Sequence, residues 1–455
     1  MLRWLIRLLL LAAVAFGGVY FIAGRGRPPA IVIDKPGPLV GQNSTVEVSV
    51  EGPPPTAMTV TLSQDGADDV ALFSLDRPDG ATVTPAADGK SLRVSRPFGK
   101  RAVPELKQGR AHIVVNASRP SIFGLRTLSS SASKDIDVRL EPPRVSVVST
   151  HHYVNRGGSE MVMYRVTPAD VESGVRVGAV EYPGFAAGGD ASLKIAFFAL
   201  LTDQPSDTPI AVFGRDAAGN EATVSFVDKV FDKTFKKSRI EIDDRFLQRV
   251  VPEILAHAPE LKLDPAAGAS DLLGSFLRIN GDLRKMNADR IAELTRPTSP
   301  TRLWDGPFVQ LGNSQVEAGF ADARTYLYRG KEVDQQVHLG FDLAVTAAVP
   351  VVAANAGTVV NASWLGIYGN CVIIDHGMGV ASLYGHLSSI DVKVGDRVTK
   401  GQTLGKSGMT GLAGGDHLHF TMLVAGHPVN PVEWWDLHWI SDRVDRKLKE
   451  AGAAQ

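Results

Sequence analysis

Cysteine is almost absent from this sequence. Among its 455 residues, Cys371 is the single cysteine. One cysteine excludes an intramolecular disulfide, and it excludes a zinc cluster built from cysteine ligands. A metal site in this chain would therefore use histidine and carboxylate side chains.

An excess of charge of either sign is absent as well. The 48 lysines and arginines balance 49 aspartates and glutamates, which gives a formal net charge of -1. Proteins that bind nucleic acid usually carry a clear positive excess, so we predict no nucleic-acid partner. Hydrophobic residues make up 44% and charged residues 21% of the chain, which is typical of folded proteins, and the length predicts two to four domains.

Long hydrophobic runs are missing except at the N-terminus. Residues 8–24 carry no charge, and their 17 residues would form a helix of about 26 Å, slightly shorter than a hydrocarbon core of roughly 30 Å. Arginines flank the run at positions 3, 7, 25 and 27. The run ends in FIAG, which is a poor site for signal-peptide cleavage. We therefore predict an uncleaved transmembrane anchor over residues 1–27 rather than a cleaved signal peptide.

The flanking arginines are nearly balanced, so they do not decide the orientation of this helix. An anchor and a cleaved signal peptide both direct the rest of the chain to export. We predict a single-pass protein of the cytoplasmic membrane with the bulk of the chain in the periplasm or cell wall.

The region after the anchor has the alternation of β-strands. Apolar residues recur with period two at Val46, Val48 and Val50 and at later positions, between clusters of glycine and proline. This pattern predicts an antiparallel β-sandwich over residues 36–141, and the same texture predicts a second over residues 142–230. The second ends in AVFGRDAAGNEATVSF, which resembles the closing hairpin of bacterial immunoglobulin-like domains. We interpret both sandwiches as spacer or wall-facing modules.

Helical spacing replaces the alternation after residue 230. Apolar residues recur at helical spacing at Phe246, Leu247, Val250, Val251, Ile254 and Leu255, after two aspartates suited to a helix N-terminus. A second apolar series from Ser270 predicts further helix, which Pro297 and Pro300 end. We predict a helical connector over residues 231–300, and the alternative is a lid over the domain that follows.

Histidine is concentrated in the last quarter of the chain. Seven of the 11 histidines lie at or just before the start of this quarter and beyond, namely His338, His376, His386, His417, His419, His427 and His438. In the segment VHLGFDLAV, a straight strand would separate His338 and Asp342 by roughly 13 Å, too far for one ion with bonds of about 2 Å. A bend at Gly340 would bring them together, with His338 on a loop and Asp342 at the start of a strand.

Two further histidine segments favour the same chemistry. In GGDHLHFTM, His417 and His419 share one strand face about 7 Å apart, so one can bind a metal while the other lies across a substrate. In ASLYGHLSSI, His386 follows directly after an apolar strand. Each segment alone is commonly structural, but three in one region indicate a site.

These segments occur in the order found in one peptidase family. An H-x-x-x-D motif, a Y-x-H-L element and an H-x-H motif lie at His338 and Asp342, at residues 384–387, and at His417 and His419. Residues 304–435 therefore resemble the LytM or lysostaphin-type zinc metallopeptidases, peptidase family M23. Thr421 and Asp416 depart from the family pattern, which often has Glu and Pro there, but neither position is a ligand.

The resemblance implies a peptidase domain of antiparallel β structure over residues 301–440, followed by a charged tail over residues 441–455. It also implies site roles: one zinc ion bound by His338, Asp342 and His419, with His386 and His417 as the catalytic pair.

The chemistry of these residue types agrees with that assignment. Three protein ligands leave the fourth position of a tetrahedral zinc open for water. No glutamate lies in an H-E-x-x-H motif, so His386 and His417 would have to move the water proton and stabilise the oxyanion. The division of these two roles between the histidines stays open.

Together these features predict a mainly β, multidomain, membrane-anchored zinc endopeptidase. By the resemblance, its substrate and partner is peptidoglycan, cleaved at a peptide cross-link or bridge. The alternative is a non-enzymatic envelope regulator that activates a cell-wall amidase or scaffolds division proteins. Such regulators typically lack several zinc ligands, whereas this chain has all five site residues. A third hypothesis keeps the chemistry and replaces the wall by an exported protein.

Overall fold

The computed structural model describes residues 2–23, 26–85, 91–121, 124–263, 270–344 and 346–452. The chain divides into two compact units, Met1–Pro143 with Arg215–Ala222, and Arg144–Gly214 with Thr223–Gln455. Parts of five predictions lie outside the described residues: residues 1, 24 and 25 of the anchor, residues 86–90 and 122–123 of the first sandwich, residues 264–269 of the connector, residue 345 of the peptidase domain, and residues 453–455 of the tail.

The N-terminal apolar run forms one helix, α1 (Leu2–Ala23). Its segment Trp4–Phe21 is exposed throughout and is long and apolar enough to cross a membrane, and a signal sequence would have the same properties. The predicted apolar helix is therefore confirmed.

The first unit contains two β-sheets around one core. Its described strands are β1 (Ala30–Lys35), β2 (Leu39–Val40), β3 (Ser44–Glu51), β4 (Ala57–Ser63), β5 (Val70–Ser74), β6 (Thr82–Pro85), β7 (Leu92–Phe98), β8 (Gly109–Pro120) and β9 (Thr127–Val138). One sheet has the order β1-β3-β7-β6 and the other β2-β9-β8-β4-β5. The alternating Val46, Val48 and Val50 of β3 are all buried, as the period-two pattern predicts.

A second pair of sheets follows along the chain. Its strands and those next to it are β10 (Arg144–Val147), β11 (Tyr153–Asn155), β12 (Ser159–Thr167), β13 (Glu172–Val177), β14 (Val180–Pro183), β15 (Phe185–Ala187), β16 (Asp190–Ala199), β17 (Ile210–Arg215), β18 (Glu221–Ser225), β19 (Lys229–Phe231) and β20 (Lys237–Ile242). The sheet orders are β10-β12-β16-β15 and β14-β13-β17-β18, and β11 pairs with β19. Buried residues of both larger sheets belong to one hydrophobic core.

That core does not end with the second sandwich. The ring centroid of Phe197, on β16, lies 6.3 Å from that of Trp304 and 5.8 Å from that of Trp434. One hydrophobic core therefore continues from these sheets into the C-terminal β region. The sequence pattern, which predicts separate domains over residues 142–230 and 301–440, contains no signal of this shared core.

The connector forms helices where the spacing predicts them. They are α2 (Asp244–His257), α3 (Leu272–Arg278) and α4 (Arg284–Thr295), with a 3-10 turn at Pro259–Leu261 and a π-helical turn at Ile279–Leu283. Asp243 caps α2 by accepting a hydrogen bond from the backbone N–H of Phe246 at 2.7 Å. The apolar faces of α2 and α3 share a core with Tyr326 and Ile367 of the C-terminal region.

The C-terminal region is again built from strands. They are β21 (Gln315–Ala318), β22 (Asp322–Tyr328), β23 (Lys331–His338), β24 (Phe341–Ala344), β25 (Pro350–Val352), β26 (Gly357–Trp364), β27 (Asn370–Gly377), β28 (Val380–Leu387), β29 (Ser389–Ile390), β30 (Arg397–Val398), β31 (Thr403–Lys406), β32 (His417–Val424) and β33 (His427–Val429), with a 3-10 turn at Gly366–Tyr368. The main sheet has the order β21-β24-β32-β28-β27-β26-β30, with β33 paired to β32. Two smaller sheets have the orders β25-β31-β29 and β20-β22-β23.

Short helices end the described chain: α5 (Pro431–Trp435), α6 (Leu437–Ile440) and α7 (Arg446–Glu450), with a π-helical turn at Ser441–Asp445. Lys447 lies 2.9 Å from Glu160 of β12, and both side chains are fully buried. The residues predicted as a charged tail are therefore anchored in the core by a buried ion pair. The predicted mainly β fold with an N-terminal apolar helix is confirmed.

Candidate active site

Two neighbouring strands of the main sheet bring the predicted metal ligands together. Asp342 on β24 pairs directly with His419 on β32, so their side chains are cross-strand neighbours. His338 is the last residue of β23, which belongs to a different sheet. The prediction that His338 lies on a loop is therefore wrong in detail. The chain changes sheets between His338 and Asp342. This change brings their side chains much closer together than the roughly 13 Å that a straight strand would give.

Gly340 lies at this change of sheet, but its role differs from the predicted one. Its φ angle is outside the left-handed region. Instead, a Cβ atom at this position would lie 2.5 Å from Nε2 of His419 and 2.6 Å from Oγ1 of Thr421. Glycine is required here because the backbone passes directly against the histidine ring.

The three ligand atoms form a nearly equilateral triangle. Oδ1 of Asp342 lies 3.0 Å from Nε2 of His338 and 3.0 Å from Nδ1 of His419, and the two nitrogens are 3.2 Å apart. Ligand atoms about 2 Å from a tetrahedral zinc lie roughly 3.3 Å from one another. The triangle therefore has nearly the size that such an ion requires.

The outer hydrogen bonds of the two histidines decide which nitrogens carry protons. Nδ1 of His338 lies 3.0 Å from the carbonyl oxygen of Gly319, which only accepts, so Nδ1 donates. The hydroxyl of Thr421 donates to the carbonyl of Leu339, so its oxygen accepts from Nε2 of His419 at 3.0 Å. Each inner nitrogen therefore presents a lone pair.

Two lone pairs and a carboxylate thus face one another within 3.2 Å. Such acceptors repel unless a cation lies between them, and the arrangement in which each ligand histidine donates its other N–H is typical of metal sites. The residues therefore fit a divalent metal. Thr421 has a defined part in this arrangement, since it orients His419.

Arg324 contacts the other side of the ligand carboxylate. Its Nη2 donates to Oδ2 of Asp342 at 2.9 Å, which leaves Oδ1 for the metal side. Arg324 lies in none of the sequence motifs. It lies on β22, and only the pairing of β22 with the strand of His338 brings it to the site.

The two predicted catalytic histidines lie beside this triangle. The ring centroids of His386 and His417 are 4.8 Å apart, and Nε2 of His417 lies 3.5 Å from Oδ1 of Asp342. Nδ1 of His386 donates to the carbonyl of Thr410 at 2.8 Å, and Nδ1 of His417 donates to that of Gly415 at 2.9 Å. Both rings are thereby oriented through Nδ1 by backbone carbonyls, and Nε2 of His417 faces the carboxylate of Asp342.

The environments of these two rings differ. Burial, together with the neighbouring imidazoles, holds the pKa of His386 well below its usual value. Burial also opposes protonation of His417, but the adjacent Asp342 outweighs it and raises the pKa of His417. His386 has a φ of 63°, a left-handed backbone that is rare for a residue other than glycine and common at functional sites.

One cavity of about 180 Å³ contains all five predicted site residues, and Arg284, Arg324, Tyr326 and Tyr368 also line it. The other histidines of the last quarter do not line it. His376, for example, is buried and bonded to the carbonyl of Ala356 and the hydroxyl of Ser382.

Comparisons with known proteins agree with this geometry. Residues 336–431 match the model of peptidase family M23, a stretch that contains all five site residues. The chain is 42% identical over 96 residues to the peptidoglycan DD-endopeptidase ShyA of Vibrio cholerae, and 40% identical over 97 residues to the DD-carboxypeptidase/endopeptidase Mpg of Neisseria meningitidis. Each match covers 21% of this chain and 22% of the relative, so the chain spans about a fifth of the length of these curated relatives.

Among solved structures, the catalytic domain of lysostaphin from Staphylococcus simulans is 30% identical, with a TM-score of 0.24. That match covers 27% of this chain and 92% of the lysostaphin domain. The family resemblance seen in the motifs is confirmed. The C-terminal region of this chain is a peptidase domain of family M23.

Proposed function

We propose that this protein is a zinc-dependent endopeptidase that hydrolyses peptide cross-links or bridges of peptidoglycan in the cell envelope. One observation carries the proposal: two histidine lone pairs and a carboxylate converge within 3.2 Å, with two further oriented histidines beside them. The names of the relatives, which are peptidoglycan DD-endopeptidases and a DD-carboxypeptidase/endopeptidase, support the substrate class.

His338, Asp342 and His419 would hold the zinc ion. When bound, zinc lowers the pKa of its water ligand and polarises a carbonyl oxygen. Arg324 is a positioning residue in this proposal. By holding Oδ2 of Asp342 it directs Oδ1 towards the two histidine nitrogens.

His386 and His417 would perform the proton transfers. With Nδ1–H donated to a backbone carbonyl, each neutral ring presents the lone pair of Nε2, which can accept a proton from the attacking water and return it to the leaving amine. A protonated Nε2 can also donate to the developing oxyanion. The two rings, 4.8 Å apart, can share these tasks around one scissile bond.

The helix α1 supports a place in the envelope. In this proposal residues 1–27 anchor the chain in the cytoplasmic membrane, the sandwiches at 36–141 and 142–230 lie outside the cytoplasm, and the connector at 231–300 precedes the peptidase domain at 301–440. Peptidoglycan is then the partner within reach, together with other envelope or division proteins.

The test combines zinc analysis with release of soluble peptides from purified peptidoglycan, using the full chain in detergent. His419→Ala should lose both zinc and activity because a ligand is removed. His417→Ala should keep zinc and lose activity because only a proton-transfer group is removed. His438→Ala, at an exposed histidine outside the cavity, is the matched control and should change neither.

Other results would redirect the proposal. Zinc binding without peptide release, combined with stimulation of an added wall amidase, would support the regulator hypothesis. Zinc binding with cleavage of an exported protein but not of the wall would keep the chemistry and change the substrate.

A further inference from the structure

Arg284 lines the same cavity as the five site residues, although it lies outside the family-matched stretch. It is the first residue of α4, in the helical connector. Arg284 lies in none of the histidine motifs, and it takes no part in the proposed metal binding or proton transfers.

A π-helical turn fixes the guanidinium of Arg284. Asn280 lies in this turn and is fully buried. Its Nδ2 donates to Asp334 of β23 at 2.7 Å, which directs Oδ1 towards Arg284. Nη2 of Arg284 donates to that Oδ1 at 2.6 Å, and Nε donates to the carbonyl of Asn280 at 3.1 Å. Such π-helical turns occur frequently at functional sites.

The helix that carries Arg284 is itself held against the peptidase domain. Oδ1 of Asn287, on α4, accepts from the backbone N–H of Ile367 at 2.9 Å. A Cβ atom at Gly366 would lie 2.2 Å from the same oxygen, so the contact requires glycine. Ile291, one turn further, is only 3% exposed. Arg284 is therefore on a fixed wall of the cavity rather than on a detachable lid.

The charge of Arg284 is not neutralised. Both of its hydrogen bonds go to the neutral oxygens of Asn280, and the described part of the chain places no carboxylate within 4 Å of its guanidinium. Asp342 is the one acidic residue among those lining the cavity, and Arg324 already pairs with it. The cavity therefore has an excess of positive charge even before a metal ion is bound.

We propose that Arg284 binds a free carboxylate of the substrate next to the scissile bond. The inference rests on the proposed endopeptidase function and narrows its substrate class to peptides with such a carboxylate. A planar guanidinium matches a carboxylate in shape and charge, and the partner-free Nη1 of Arg284 is available for it. Because Arg284 lines the same cavity as the five site residues, we assign the carboxylate to the residue that supplies the scissile nitrogen.

The test uses two synthetic cross-linked peptide dimers. They are identical except that the carboxylate on the residue supplying the scissile nitrogen is free in one and amidated in the other. Wild-type full chain should cleave the free form with a kcat/KM about tenfold to a hundredfold higher, the range expected for hydrogen bonds to a charged group. Arg284→Gln should lose this preference, mainly through KM, while cleaving the amidated dimer at the wild-type rate. Arg284→Lys should retain part of the preference.

Arg290→Gln is the matched control, since Arg290 lies on the same helix, is exposed and pairs with Glu293. It should leave the preference unchanged. An equal loss of kcat/KM for both dimers in Arg284→Gln would overturn the inference and indicate a structural role. A wild-type enzyme that does not distinguish the dimers would overturn it as well.

A binding measurement separates this inference from the proposed function. Calorimetry with the zinc-loaded His417→Ala variant should show tighter binding of the free dimer than of the amidated one. Adding Arg284→Gln should remove the difference. If wild-type protein cleaves neither dimer, the endopeptidase proposal fails. The difference in binding between the two dimers then decides by itself whether Arg284 binds a carboxylate.

Discussion

The two β-sandwiches look alike in sequence but differ in how their cores end. The core of the first contains residues from Ile31 to Leu140 and nothing beyond them among the residues placed by the structure. The core of the second continues through Phe197 into Trp304 and Trp434 of the peptidase region. The first sandwich can thus serve as a separate spacer, whereas the second is part of the body that holds the active site.

Truncation should have the largest effect on this comparison. A chain that begins at residue 144 keeps the whole shared core, so it should fold, bind zinc and retain activity. A chain that begins at residue 231 would expose the faces of Trp304 and Trp434 that contact Phe197, so it should be insoluble or fail to bind zinc. Zinc content and circular dichroism distinguish the two. Full activity in the shorter chain would show that the shared core is dispensable.

Two phenylalanines of equal burial provide a second comparison of the two sandwiches. Phe98 of the first sandwich and Phe197 of the second are each 2% exposed. Either substitution by Ala should reduce the free energy of unfolding of its own unit by about 3–5 kcal/mol, because it leaves a cavity. Only Phe197→Ala should also reduce peptidase activity near its melting temperature. Calorimetry and an activity assay of both variants test this prediction. Equal activities of the two variants would contradict the link between the second sandwich and the active site.

Two ion pairs of equal length offer a further contrast. Lys447–Glu160 in the second unit and Lys35–Glu47 in the first each measure 2.9 Å, but the former is fully buried and the side chain of Lys35 is 58% exposed. Lys447→Met would remove the cation nearest to the buried Glu160 and leave Arg443 at 3.5 Å, so it should cost about 3–5 kcal/mol of stability. Lys35→Met should cost at most about 1 kcal/mol. Denaturant titrations measure the loss of stability in both variants. Similar losses would show that burial does not determine how much an ion pair contributes to stability.

A pH-dependent effect concerns Glu433, beside the second sandwich. Burial raises its pKa to about 7, against hydrogen bonds from Asn155 and Ser159. The native state therefore binds more protons than the unfolded state between about pH 4.5 and pH 7, so stability should fall as pH rises through this window, by up to about 3 kcal/mol. Glu433→Gln should remove this slope. An unchanged slope in urea titrations at pH 5 and pH 8 would assign it to other groups.

The fold was predictable where a pattern is local. Period two predicts the strands of the first sandwich because one face of each strand is buried, as Val46, Val48 and Val50 are. Helical spacing and a capping aspartate predict α2 because both act within one turn. The shared core and the buried Lys447 were not predictable, because they join residues almost 300 positions apart and leave no periodic signal.

The sequence by itself determined which residue types could form the metal site. Divalent metals of this class take few side-chain types as ligands, and the motifs that contain His338, Asp342 and His419 supply residues of those types. Only the tertiary structure brought Arg324 to the carboxylate and Arg284 to the cavity wall. Their roles depend on distance and on unbalanced charge, and these exist only after strands and helices from separate parts of the chain have packed together.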